Sequence, residues 1–148
     1  MDIAVLMDHI SSRDLRILTR LRPFFLVVDI GFILYWVVTV FHLIPAEHLY
    51  KDYADPMASA WNWSFLPLDL AVSATGLLAL HLSRRRNPLA VRLAVASLAL
   101  TTASGMQAIS FWAIRGDFDW VWWAPNLFLL VYPWWFLQAL FQVRPEGP

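Results

Sequence analysis

With 148 residues, 59% of them hydrophobic and 15% charged, the chain departs from soluble domains, which carry roughly 45–50% and about 25%. Eleven basic and eleven acidic residues give a formal net charge of zero, so no basic face for nucleic acid is expected. The chain has no cysteine, which excludes disulfides, thiolate metal sites and thiol redox chemistry within it.

Residues 1–22 mix Ile3, Leu6, Met7, Ile10, Ile17 and Leu18 with Asp8, His9, Arg13, Asp14 and Arg16. That pattern predicts an amphipathic segment on the cytoplasmic membrane surface, held by its arginines. An apolar run follows over 24–44, and Pro23 is placed where a first-turn proline would open it. The run is too long and too late for a cleaved signal peptide. Pro45 ends it, and the connection to Ala60 has room for a short surface helix around Ala46–Tyr53. Further apolar runs cover 63–82, 93–114 and 121–142, separated by tight connections over 83–88 and 115–120. Pro67 and Pro133 are expected to bend the second and fourth runs.

Each run has about the 20 residues that cross a ~30 Å hydrocarbon core as a helix. The expected fold is all-α and membrane-embedded: one domain over 1–148, four transmembrane helices in an up-down-up-down bundle. Nine of the eleven basic residues lie before the first run, between the second and third, or after the fourth. The positive-inside rule then places both termini in the cytoplasm, as an even number of spans requires.

An ionised side chain in a span costs roughly 2.5–3.5 kcal/mol on insertion scales, so each needs a reason. By helical rise Asp29 lies about 8 Å from the inner edge and Asp69 about 9 Å from the outer one, on the order of 14 Å apart. Two separate sites are expected rather than a carboxylate pair. Asn62, Asp69, Ser73 and Gly76 project within about 60° of one another on an ideal helix. Gln107 and Asn126 fall at nearly the same depth as Asp69, and Ser97, Thr101, Ser104 and Ala108 form a small-residue stripe. A polar cluster of Asp69, Asn62, Gln107 and Asn126 in the outer half of the bundle follows, with Ser73 beside it and Trp36 as an apolar wall. No basic residue shares that depth. The cluster reads either as a helix-bridging device or as a site for a small molecule, cation or proton.

Asp29 forms a secondary inner site, explained most simply by an ion pair with Arg22 or Arg92. Trp61, Trp63, Trp112, Trp120, Trp122 and Trp123 lie near the outer boundary, where an aromatic belt is the ordinary reading. His42, His48 and His81 are scattered, so no metal site, cofactor or catalytic constellation is expected. Asp52, Asp55, Asp117 and Asp119 read as solvated loop acids around an outer mouth.

The block Asn62-Trp-Ser-Phe-Leu-Pro-Leu-Asp69-Leu, followed by Ser73 and Thr75-Gly76-Leu77, resembles the second span of the YvaD-type bacterial membrane proteins. Asp29-Ile-Gly-Phe-Ile-Leu-Tyr35-Trp36, Tyr50-Lys-Asp-Tyr53 and Trp122-Trp123-Ala-Pro125-Asn126 resemble the same group. The resemblance implies a four-helix protein of the bacterial cytoplasmic membrane and implies no particular activity. Three functions remain open: a membrane protein, expected to be a homodimer, that binds or transports a small molecule, cation or proton; an isomerase- or cyclase-type enzyme using Asp69 on a lipophilic substrate; and an accessory subunit of a larger membrane complex.

Overall fold

Ser11 opens the first helix by accepting the Asp14 amide on its hydroxyl at 3.0 Å, satisfying an otherwise free donor of the first turn. The computed structural model describes residues 10–142, and from this cap α1 runs over Ser12–Val40. Pro23 thus lies inside α1 rather than at its start, and residues 12–22 continue the first span as one rod. The capped turn at Ser11 supplies the start signal that the sequence reading gave to Pro23. The amphipathic segment expected over 1–22 is therefore corrected for residues 12–22, and residues 1–9 lie outside the described part.

A single 3-10 turn, Ala46–His48, replaces the surface helix expected over Ala46–Tyr53. Asp55 then accepts the Met57 amide at 2.9 Å, and with Pro56 in the first turn it starts α2, Pro56–Ser64. Phe65 separates α2 from α3, Leu66–Arg84, because Pro67 has no amide to continue the ladder. The bend expected at Pro67 is a break into two helices. The chain continues as α4, Leu89–Ile114, which Gly116 closes in the left-handed region at φ 66°. Asp119 caps α5, Trp120–Phe141, through the Val121 amide at 3.0 Å. Among the described residues every regular element is helical.

Four stretches are long and apolar enough to cross a membrane: Ser12–Val40, Pro56–Arg84, Leu89–Ile114 and Trp120–Phe141. Val27, Leu34, Val131 and Trp135 project outward from them, as a hydrocarbon solvent permits. Inside, α3 packs on α4, α4 on α5, and α1 mainly on α3. At the end carrying the 85–88 turn the core is apolar, built on Leu18, Leu21, Phe25, Leu80, Ala94, Leu98 and Phe136. At the other end Trp36, Phe65 and Ala108 form a smaller cluster with Trp61 and Trp63. A belt of polar and small side chains separates the two: Asp29, Ser73, Gly76, Ser97, Thr101, Ser104 and Asp69.

Candidate ligand cavity

The break at Phe65 puts Asp69 in the first turn of α3, with its amide bonded to the Phe65 carbonyl at 2.8 Å. The positive end of the helix dipole therefore faces a carboxylate. Asp69 is only 4% exposed, and its two oxygens are held from two other helices. Trp36 Nε1 of α1 donates to Oδ2 at 3.0 Å, and Ser104 Oγ of α4 donates to Oδ1 at 3.1 Å. Both donors are neutral. Among the described residues no Lys, Arg or His comes within ion-pair distance of Asp69.

A cavity of about 290 Å³ reaches this carboxylate. Tyr35, Trp36, Tyr50, Trp61, Trp112 and Trp122 contribute aromatic walls, and Asn62 and Asn126 add amides. The Tyr35 hydroxyl donates to Asn62 Oδ1 at 2.9 Å, while Asn62 Nδ2 is buried without a partner. Asn126 spends Nδ2 on the Trp122 carbonyl at 2.7 Å, which leaves its own oxygen as an acceptor.

Two cations close the rim. Lys51 Nζ donates to Asp117 at 2.6 Å, approaches Asp119 at 3.8 Å, and stands 5.5 Å over the Trp112 ring. Arg115 bridges Asp52 at 3.1 Å and Asp55 at 3.4 Å. The four loop acids are therefore cross-links between the 45–55 and 115–119 connections, not isolated solvated charges. The bond to Asp117 pushes the Lys51 ammonium up from its ordinary range. The Met57 amide, and after it Arg115, hold Asp55 below the ordinary carboxylate range.

Of the predicted cluster, Asp69, Asn62, Asn126 and Trp36 line the cavity. Ser73 stands behind it, its hydroxyl shared between the carbonyls of Asp29 at 3.0 Å and Asp69 at 2.9 Å. Gln107 is the correction: it is exposed on the outside of α4 and lines no part of the cavity. Depth placed it well, but it lies about 60–120° around the helix from Ser97, Thr101, Ser104 and Ala108, which face inward. Its place is taken by Ser104, whose position on that stripe was the available signal. Trp61, Trp112 and Trp122 belong to the cavity wall rather than to a belt, whereas Trp120 is exposed as a belt residue would be.

Asp29 departs further from expectation. It is fully buried, Arg22 and Arg92 are both exposed, and neither pairs with it. Its carboxyl abuts Gly76, beside Ser97, and both oxygens lack a hydrogen-bond partner. The reason is helical phase: Asp29 shares with Val28, Phe25 and Trp36 the face that α1 presents to its neighbours. The Tyr132 hydroxyl of α5 is likewise buried without a partner.

A model of a family of unknown function, DUF5360, matches residues 21–146. The chain belongs to that family. The uncharacterized protein YvaD of Bacillus subtilis (strain 168) is 49% identical over 120 residues, covering 81% of this chain and 90% of its own length. No solved structure matches. The DUF5360 match takes in every residue that lines the cavity, together with Asp29, Ser73 and Gly76.

Proposed function

We propose that this protein binds a small molecule in the cavity over Asp69, within the bacterial cytoplasmic membrane, with the 45–55 and 115–119 connections outside and both termini in the cytoplasm. The observation that carries the reading is a buried carboxylate at a cavity wall whose protein partners are all neutral. Asp29 is also uncompensated but lines no part of the cavity, whereas Asp69 opens onto it, so an occupant can meet a charge that is costly to leave unpaired in low dielectric. The arrangement favours binding over acid–base catalysis, since the groups touching the carboxylate, an indole N–H and a serine hydroxyl, do not titrate in the neutral range. Positive-inside charge and the pairing of the two loops at the rim support the orientation.

A dimer is part of the proposal. Gln107 faces outward from an apolar helix, where an amide in lipid leaves donors and acceptor unmet. Two copies facing each other could satisfy both. Native mass spectrometry of protein released gently from membranes, wild type beside Asp69→Asn, tests the binding reading. A retained small molecule that disappears in the variant is the expected result. No ligand in either protein, with the same oligomeric state and stability, would refute it.

A further inference from the structure

We infer that the ligand class is a small organic cation, a protonated amine or a quaternary ammonium, seated between Asp69 and the aromatic walls. The inference rests on the binding reading above and adds the charge and chemistry of the occupant. Three features of the cavity converge on it.

The wall carries two charged groups, Asp69 and Lys51, and because Lys51 is bonded to Asp117 the Asp69 carboxylate has only neutral partners. A carboxylate accepts about four hydrogen bonds, and here each oxygen has received one, so lone pairs remain for a charged donor. The side walls are lined by indole and phenol rings, and Trp112 already holds the Lys51 ammonium 5.5 Å from its centroid, which shows that a ring of this wall accepts a cation. Asn126 keeps its carbonyl oxygen free for an N–H donor, and the buried Nδ2 of Asn62 seeks an acceptor. An amine bearing a hydroxyl, ether or carbonyl group would satisfy both.

Of the charged loop residues only Lys51 lines the cavity; Arg115 pairs with Asp52 and Asp55 beyond its wall. Lys51 does not itself compensate Asp69, since its ammonium is bonded to Asp117 and stacked over Trp112.

An inorganic cation fits poorly. Hard ions require several oxygen ligands, whereas Asp69 meets an N–H donor and is surrounded by rings. An anionic ligand would meet the Asp69 carboxylate. A volume of about 290 Å³ lies at the low end for ligand pockets, which restricts the occupant to a small molecule.

The test titrates benzylamine against its neutral isostere benzyl alcohol, using the full chain in nanodiscs with tryptophan fluorescence and melting temperature as readouts. Benzylamine is expected to saturate and stabilise, with the alcohol weaker by about tenfold or more. Asp69→Asn should abolish that preference, bringing the amine down to the alcohol. Trp112→Phe, which leaves the carboxylate in place, should weaken the amine a few-fold and provides the second variant if Asp69→Asn does not fold. Equal binding of the two probes, or a preference retained in Asp69→Asn, overturns the cation inference. A native mass spectrum showing a neutral or anionic ligand that Asp69→Asn loses overturns the inference while leaving the cavity a binding site. Absence of any retained ligand and of binding by either probe overturns both.

Discussion

Three glycines separate three kinds of packing, and an alanine scan of them tests the helix interfaces directly. A methyl at Gly31 meets nothing within 4 Å, so Gly31→Ala should gain up to about 1 kcal/mol of helix propensity. At Gly76 the added carbon would overlap Asp29 Oδ2 and stand 2.9 Å from Asp29 Cγ and 3.0 Å from Ser97 Oγ. Overpacking of that kind costs about 1–3 kcal/mol, from which the propensity gain of about 1 kcal/mol subtracts, leaving a net loss of up to about 2 kcal/mol. At Gly105 the obstacles are backbone atoms of α5: Leu130 N at 2.6 Å, Asn126 O at 2.7 Å and Leu129 C at 3.0 Å. No rotamer change clears them, so α4 and α5 must part, and the loss should reach or exceed about 3 kcal/mol. Steric-trap unfolding in bicelles would measure all three. The decisive variant is Gly76→Ala combined with Asp29→Ala, where only Ser97 Oγ stays close and the Gly76→Ala loss should disappear, a coupling of about 1–3 kcal/mol. Additive losses in that cycle, or a Gly105→Ala protein as stable as wild type, would refute the packing described for α1, α3, α4 and α5.

Asp29→Ala alone should leave stability unchanged or raise it by about 1–2 kcal/mol, because it deletes two buried oxygens that have no partner; a drop of several degrees in melting temperature would contradict this. Gln107→Leu should weaken dimerisation about 3- to 30-fold, read by Förster transfer between labelled copies in vesicles, and unchanged association would remove Gln107 from the interface. The Lys51–Asp117 bridge should be complete at neutral pH. Since the folded state raises the Lys51 value, its contribution is full below the ordinary lysine value of about 10.5 and is lost as pH climbs through the higher folded value. Tryptophan emission from the ring beneath Lys51 should therefore stay flat until that alkaline range, and the transition should be absent in Lys51→Met.

Hydropathy and charge bias made the four membrane-length helices legible, because span length and lipid compatibility are properties of composition alone. Depth along the normal was equally readable: Asp69, Asn62 and Asn126 do meet at one cavity. What failed was rotation. Depth follows from counting residues, but facing depends on which side of each helix its neighbours cover, and a bundle bathed in lipid is apolar on both sides. Gln107 was misplaced for that reason, and Asp29 was assigned an ion pair when its own face turns inward. The tryptophans suffered likewise, since Trp61, Trp112 and Trp122 have the depth of a belt and the facing of a wall. The break at Phe65 was hidden because Pro67 is equally compatible with a bend and with a fresh start.

That break divides one membrane crossing into two rods with different attachments. Asn62 rides on the rod tied to Asp55 and so to the Arg115 bridge, while Asp69 rides on the rod locked to Asp29 through Ser73 and Gly76. Asn62 is tied in addition to the first helix through Tyr35, so both sides of Phe65 are fastened to α1 and hold the two polar groups of the chamber at a set separation. One membrane crossing thus furnishes the aspartate and the amide from opposite sides of a single residue.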